Sequence, residues 1–418
     1  MLRSMGLAVL SWVVAWQVCL ADWTEFRGPG CQGIGKTEQI DHVPLSWSTT
    51  QNVRWRAALP GNGWSSPIAV GSQIYVTTAT PLQANDPKSD IDLSLLIIDA
   101  RTGNLIHDAK LFRQSGTNSP GIHKKNSHAS PTPIYRDQRI YVHFGHQGTA
   151  CVTTQGEIVW KNDGLDYPPV HGNGGSPVLA DDLLIFSCDG GEASEVIALD
   201  TYTGNVRWRT KRDVEATKKF SFSTPLLINP DGRKQLIIPG SNVVQSLNPT
   251  NGKEHWRLRY DGFSVIPRPI FTEGLVFVCT GYSTPSLLAI RPDGSGDVTD
   301  SHLVWKANVS IPNTPSLVSH DGQVTMVSDK GIALSLDAKT GREIWKARIG
   351  GNFSASPLLV GDRIYLLSEE GDCTVIAAAP EHRELARSKM SERSLASLSM
   401  IGNDLLLRTA DALYRIGL

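Results

Sequence analysis

Side chains able to bind a polar ligand recur just before a series of Ser-Pro and Thr-Pro dipeptides. The set comprises aromatic rings, amides, imidazoles and one guanidinium: Trp64, Asn126, His128, His171, Phe222, Arg268, Asn313 and Phe353. Such groups can hydrogen-bond to, and stack on, a polar, anionic or sugar-like molecule. They can also merely satisfy strand ends and ordered water. Both interpretations stay open from the sequence.

This set contains no carboxylate, although calcium binding and general-base catalysis depend on carboxylates. The nearest acidic residues lie several positions upstream: Asp166, Glu215 and Asp261. Inward folding of the segments Thr80–Asp92 and Gln114–Lys125 would add Asp86, Asp90 and Asp92. We therefore assign no catalytic residue, no metal ligand and no cofactor-binding residue.

The dipeptides mark the starts of a repeat of roughly 40–50 residues, a period typical of propellers. The starts are Ser66-Pro67, Ser130-Pro131, Ser176-Pro177, Thr224-Pro225, Arg268-Pro269, Thr314-Pro315, Ser356-Pro357 and a worn Ser397-Leu398. Each unit continues with short apolar runs bounded by Gly, Asp and Asn, which is the pattern of β-strands and turns. Four such strands fit into one unit.

A tryptophan follows a turn such as "LDTYTGNVRW" in most units. These residues are Trp55, Trp160, Trp208, Trp256, Trp305 and Trp345, and His107 and Ala386 stand in their place in the first and seventh units. A large flat ring with one N–H suits a buried wedge between neighbouring sheets.

The sequence predicts an all-β, eight-bladed β-propeller with four antiparallel strands per blade, and seven blades is the alternative. A lone strand around Trp55 precedes the first full unit, and three strands without a tryptophan follow Ser397. Together they would complete one blade and remove exposed sheet edges.

Composition excludes several function classes. The 418 residues carry a formal net charge of −1, so nucleic acid is not an expected partner. No C-x-x-C or adjacent cysteine pair occurs, which excludes a zinc knuckle and attached haem. "DGSGDVTD" lacks the glycine and glutamate of a calcium loop.

The N-terminus has the layout of a secretory signal, with one arginine, an apolar run from Leu7 to Val18 and a small-residue site ending at Ala21. A retained membrane anchor is the alternative. We expect a signal over residues 1–21 and one propeller domain over 22–418, with 22–52 as an extension into the closing strand. The expected location is the periplasm or the exterior, without a membrane span after cleavage.

The repeats "ALDTYTGNVRW" and "SLDAKTGREIW" resemble those of pyrroloquinoline-quinone (PQQ)-type eight-bladed propellers. "WTEFRGPGCQG", "KNSHASPTP", "HGNGGSPVL", "FSFSTPLLI", "GSGDVTDSHLVW" and the final "LYRI" look like secreted PQQ-like repeat proteins of planctomycete-type bacteria. The wider class includes quinoprotein dehydrogenases and the propeller lipoprotein of the outer-membrane β-barrel assembly machinery. The resemblance implies the fold, and it carries no established reaction.

Two function classes follow. The first is an exported, non-enzymatic, monomeric propeller that binds an envelope or secreted protein, or a small polar molecule or glycan, at its loop face or central channel. The second is a divergent PQQ-dependent oxidoreductase. The resemblance to the enzymes would require PQQ with Ca²⁺ and an adjacent cysteine pair, which this chain lacks. No cofactor is expected.

Overall fold

The computed structural model describes residues 22–84, 86–117, 121–165, 167, 169–192, 194–282 and 284–418. The expected signal segment, residues 1–21, and Asp166 lie outside this part of the chain. The described residues form eight antiparallel sheets, which are the blades of an all-β propeller. The predicted fold class and blade number are confirmed.

Each blade runs from an innermost strand at the central channel to an outermost strand at the rim of the ring. Blades 1 to 4 comprise Ile68–Val70, Gln73–Pro81, Ile91–Asp99 and Leu105–Gln114; Ile134–Arg136, Arg139–His143, Thr149–Thr153 and Ile158–Asn162; Val178–Ala180, Leu183–Asp189, Ser194–Asp200 and Val206–Lys211; Leu226–Ile228, Gln235–Gly240, Val243–Leu247 and Glu254–Arg259. Blades 5 to 8 comprise Ile270–Thr272, Leu275–Cys279, Leu287–Ile290 and Leu303–Ala307; Val318–His320, Gln323–Val327, Ile332–Asp337 and Glu343–Arg348; Leu358–Val360, Arg363–Leu367, Asp372–Ala377 and Glu384–Lys389; Ser399–Ile401, Asp404–Arg408, Ala412–Ile416 and Val53–Ala58.

Short elements supplement the blades. Ile34–Gly35 adds a parallel strand to the innermost strand of blade 7, and Gly296–Asp297 adds one to the outermost strand of blade 4. Three 3-10 turns lie in the described chain at Ile40–His42, Gly145–Gln147 and Pro230–Gly232.

The ring closes as the sequence predicts. Val53–Ala58 pairs antiparallel with Ala412–Ile416, which places Trp55 opposite Arg415. One blade therefore contains strands from both ends of the propeller, and pairing of the two segments leaves neither as a free edge.

The tryptophans join each blade to the next. All six indole Nε1–H groups donate to a backbone carbonyl in the turn before the outermost strand of the following blade, at 2.9–3.1 Å. Trp160 bonds to Thr201 O in this way, and its ring packs against Gly204, whose φ of +74° suits glycine. A Cβ on Gly204 would collide with that ring. The "TG" turn and the tryptophan of one repeat thus serve two different blade junctions.

Two junctions lack a tryptophan in the outermost strand. His107 fills this place between blades 1 and 2. Its ring packs so closely against Gly156 of blade 2 that a Cβ on this glycine would lie only 2.6 Å from the ring. Near Ala386 in blade 7, Trp47 of the N-terminal extension stacks on Tyr365 and donates its backbone N–H to Ser388 Oγ at 2.9 Å. The extension therefore supplies the aromatic ring that blade 7 lacks.

The innermost strands are joined by hydroxyl groups. One residue lies two positions before each innermost strand. These residues are Ser66, Thr132, Ser176, Thr224, Arg268, Ser316, Ser356 and Ser397. We call the seven that carry a hydroxyl group, all except Arg268, the hydroxyl ring. Six backbone N–H groups donate to the hydroxyl of the next blade at 2.9–3.0 Å. The repeat starts predicted at Ser130 and Thr314 lie two residues too early, because Thr132 and Ser316 occupy the positions equivalent to the other starts.

Removal of a buried inter-blade tryptophan is expected to destabilise the ring. Trp256 is 0% exposed, so Trp256→Ala should lower the free energy of unfolding by about 3–5 kcal/mol, measured by denaturant titration. Trp208 is only half-buried, so Trp208→Ala should lower it by less. An equal or larger loss for Trp208→Ala would contradict this ranking.

Candidate ligand site at the channel mouth

A cavity of about 540 Å³ opens on one face of the ring. Two kinds of segment surround it: those entering the innermost strands, and the loops joining second to third strands. The turns between third and outermost strands lie on the opposite face, because successive strands alternate in direction. The walls of the cavity are therefore built by the connections of one face alone.

Five of the eight residues selected from the sequence line this cavity. They are Trp64, Asn126, His171, Phe222 and Asn313. Asn126 is fixed by its own bonds, since its Nδ2 donates to His171 O at 2.9 Å and its Oδ1 accepts from Ser130 Oγ at 2.6 Å. His171 has a φ of +67°, so its ring projects from a strained backbone position.

Three of the eight do not line the cavity, and packing explains each correction. His128 lies in a separate cleft beside His146, where burial first and His146 second lower the pKa of His128 to about 4. Phe353 is 1% exposed in a core cluster with Trp345 and Leu359. Arg268 is 1% exposed, with its guanidinium bonded to Pro225 O and Phe26 O.

Aromatic rings form one side of the cavity. Phe220 lies 5.2 Å from His171, 6.0 Å from Phe222 and 5.8 Å from Phe263, and Phe263 lies 5.7 Å from Tyr282, all between ring centroids. We call these five residues the aromatic wall. It offers edges and faces on which a flat apolar group can pack.

Basic side chains lie above this wall and across from it. The Lys218 ammonium lies 4.2 Å from the centroid of Phe263, and the Arg393 guanidinium 5.5 Å from that of Trp64. Lys125 pairs with Glu369 of blade 7 at 2.6 Å. His123 and Lys125 both line the cavity, so the loop between blades 1 and 2 folds inward.

That inward fold does not bring the three loop aspartates to the site. Asp92 pairs with Lys110 and Arg113, at 2.9 and 2.8 Å, on its own blade. Asp90 accepts the N–H of Gly116, and Asp86 that of Lys88. Glu215 and Asp261 are exposed outside the cavity wall. None of these carboxylates can act on a ligand in the cavity.

One carboxylate that the sequence did not indicate does line the cavity. Asp329, in the loop joining the second and third strands of blade 6, accepts the Asn313 N–H and the Thr314 hydroxyl, both at 2.7 Å. The set selected from the sequence contains no carboxylate, because it comprises only residues before the innermost strands. The loop that carries Asp329 reaches the same face from a different part of the blade.

The N-terminal segment, residues 22–35, closes the channel beneath the cavity. Trp23 pairs with Ala69 of blade 1, and Thr24 O accepts from Tyr135 of blade 2. Gln32 exchanges two bonds with Phe271 of blade 5. Phe26 lies at the floor of the cavity. The central channel is therefore closed at one end by this segment and is not an open pore.

Two arginines lie below this floor without a carboxylate partner among the described residues. Arg268 Nη1 donates to Phe26 O at 2.7 Å, and Arg27 donates to Leu317 O. Burial, and then the Arg268 guanidinium, lower the pKa of Arg27 to about 9, so Arg27 stays charged at neutral pH. Arg27 Nε and Nη1 and Arg268 Nη2 have no partner in the described chain.

Within the described residues, no group of three His, Cys, Asp or Glu side chains is arranged to hold a metal ion. The cysteines Cys31, Cys151, Cys188, Cys279 and Cys373 are all unpaired there. No helix in the same part of the chain has the length and apolarity needed to cross a membrane.

Comparison with protein families places most of the propeller within a known family. The model of the family described as outer membrane protein assembly factor BamB matches residues 91–244, 192–295 and 294–410. The outer membrane protein assembly factor BamB of Yersinia pestis is 25% identical over 244 residues, which cover 53% of this chain and 56% of that protein. The match thus spans just over half the length of this curated relative.

Solved structures with the same fold include assembly factors and dehydrogenases. BamB from Moraxella catarrhalis superposes with a TM-score of 0.56 at 14% identity, over 87% of this chain and 99% of that chain. A europium-containing methanol dehydrogenase gives 0.65 at 10% identity, over 95% and 98%. Quinohemoprotein alcohol dehydrogenase from Comamonas testosteroni gives 0.55 at 12% identity, over 95% and 80%. Identities this low show a shared fold alone.

The ion pair between Lys125 and Glu369 is expected to hold the inward loop in place. In Lys125→Ala, amide hydrogen exchange of His123–Asn126 should rise severalfold, while the free energy of unfolding changes by less than about 1 kcal/mol. Lys124→Ala is the control, because the Lys124 side chain makes no ion pair within the described chain. Equal exchange in the two variants would contradict the assignment.

Proposed function

We propose that this chain, which belongs to the family of the outer membrane protein assembly factor BamB, is an exported scaffold that binds a ligand or protein partner at its cavity face and catalyses no reaction. The observation that carries the proposal is the cavity of about 540 Å³, which has a floor, an aromatic wall and a basic rim. Such a cavity can enclose a small polar molecule, and its rim can receive a protein loop.

Export to the periplasm or the exterior is part of the proposal. It rests on the sequence of residues 1–21 and on the description of the family as an assembly factor of outer membrane proteins. The likeness to planctomycete-type secreted proteins is a further expectation, as is a monomeric state.

The cavity fits poorly with PQQ and Ca²⁺, the groups that the alternative oxidoreductase would need. Among the described lining residues, Asp329 is the single carboxylate, and Asn313 and Thr314 already donate to its oxygens. Calcium prefers six to eight oxygen ligands, usually with several carboxylates. The resemblance to quinoprotein enzymes is accounted for by the blade junctions, which use the "TG" turn and the tryptophan without any cofactor.

Purified protein supplied with PQQ and Ca²⁺ should reduce no redox dye with alcohol or sugar substrates. The reason is that the described lining residues include no free carboxylate base and no set of hard oxygen ligands. The measurement is a dye-linked assay with Asp329→Asn as the matched variant. Saturable, PQQ-dependent dye reduction that Asp329→Asn abolishes would establish the oxidoreductase instead.

Binding at the cavity face is tested by reversing one charge on each face. Lys218 lies at the cavity rim, and Lys253 lies in a turn on the opposite face. The two variants are Lys218→Glu and Lys253→Glu. Envelope components cross-linked to wild-type protein and identified by mass spectrometry should persist with Lys253→Glu and fall at least severalfold with Lys218→Glu. Components lost only with Lys253→Glu would place binding on the other face.

A further inference from the structure

We propose that the floor of the channel cavity is an anion receptor, and that its ligand is a small aromatic carboxylic acid whose ring lies on the aromatic wall. This inference rests on the proposed function and specifies the chemistry of the ligand. Three features of the floor and wall support it: the orientation of hydroxyl hydrogen bonds, unneutralised buried cations and a flat apolar surface beside them.

The hydroxyl ring presents donors to the cavity. Six of its members line the cavity: Ser66, Thr132, Ser176, Ser316, Ser356 and Ser397. The oxygens of all of these except Ser66 already accept a backbone N–H from the preceding blade, at 2.9–3.0 Å. A hydroxyl has one proton to donate, and none of these five protons is bonded to an acceptor within the described residues. The unused groups on this floor are therefore O–H donors, which suit an anion.

Buried positive charge reinforces these donors. Arg268 takes the place of a hydroxyl in the circle, and its backbone N–H bonds to Ser316 Oγ in the floor. Its guanidinium and that of Arg27 are 1% and 2% exposed and form no ion pair with any described carboxylate. Arg408, also 2% exposed, donates to Ser65 O beside the circle. Charges in a protein interior act over longer distances than charges in water.

Acidic groups near the cavity are fewer than these cations. Asp329 contributes one negative charge at the wall, since both of its hydrogen-bond donors on blade 6 are neutral. Glu369 pairs with Lys125, and Glu25 bonds to Cys31 Sγ at 2.7 Å in the N-terminal segment. Lys218 adds a cation at the rim that forms no ion pair with the described carboxylates. The balance over the cavity is positive.

The aromatic wall selects the rest of the ligand. The rings of Phe220, Phe222 and Phe263 are neighbours in the cavity lining, with Phe263 beside Lys218 and Phe222 two residues before Thr224 of the hydroxyl ring. A ligand that places a carboxylate on the hydroxyl ring therefore has an aromatic surface next to its remaining atoms. A flat ring gains edge-to-face contacts there that a sugar or an aliphatic chain does not.

The experiment compares 2-naphthoate with its neutral isostere 2-naphthamide, binding to the whole protein, by isothermal titration and saturation-transfer NMR. Hydrogen bonds to a charged group are stronger than those to a neutral one, so naphthoate should bind at least about tenfold more tightly. Cyclohexanecarboxylate, which carries the charge without the aromatic ring, should bind more weakly than naphthoate.

A pair of isosteric variants separates binding from stability. Thr132→Val and Thr224→Val each remove one equivalent inter-blade bond, but only Thr132 lines the cavity. Thr132→Val should weaken naphthoate binding by about fivefold or more, while Thr224→Val changes it by less than about twofold. Arg268→Gln should remove most of the preference for naphthoate over naphthamide, provided that its melting curve stays cooperative.

The outcomes are distinct. Equal affinity for naphthoate and naphthamide would overturn the anion receptor but leave a cavity that binds ligands, as the proposed function states. Equal losses in Thr132→Val and Thr224→Val would place the effect in ring stability and also overturn the inference. Binding of neither compound would do the same, and the two charge reversals would then decide the proposed function separately.

Discussion

The donation of an indole N–H from one blade to a turn carbonyl of the next is the interaction on which the ring depends. A four-stranded sheet has two faces to bury and can do so only against neighbours. The carbonyl that accepts from Trp160 or Trp256 belongs to a turn, where no strand partner is available to it. One residue thus covers apolar surface and satisfies a polar group at the same junction, and the glycine in that turn leaves room for the ring.

The inner circumference of the ring imposes a second constraint, because the innermost strands converge there and leave space for small side chains only. Serine and threonine meet this limit and also accept a backbone N–H from the neighbouring blade. Arg268 is the exception, and the N-terminal segment accommodates it by offering Phe26 O. The same geometry that holds the blades together therefore gives the cavity a floor of polar donors.

The repeat made the fold predictable, since the spacing of tryptophans and turns reports blade geometry directly. Exact positions were less accessible. At Ser130 and Thr314, a second Pro or Ser two residues later offered an equivalent start, and only the bonds to Thr132 and Ser316 distinguish them. Each blade also carries a register shift just before the tryptophan position, as between Val206 and Trp208, which alternation of residue types does not reveal.

The site was predictable only in part, because its residues come from two places in the repeat and from a segment outside the repeat. Residues before the innermost strands supplied Trp64, Asn126 and His171. Asp329 belongs to a hairpin loop, and Phe26 to a segment without repeat character. No local pattern in the sequence indicates that this segment crosses the channel, since its partners across the ring, such as Phe271 and Leu317, lie 239 and 290 residues away.

Blade 8, which combines strands from distant parts of the sequence, affects how the protein folds. Val53–Ala58 is synthesised before seven blades of the ring, and its partner Ala412–Ile416 follows only after them. Val53–Ala58 therefore stays unpaired while all the intervening blades are synthesised. Contacts of such sequence separation slow folding and prolong the exposure of an open sheet edge. A circularly permuted chain that begins at Ser66 and joins the present termini through a linker would make this blade continuous, and ring closure would then no longer depend on two distant ends meeting.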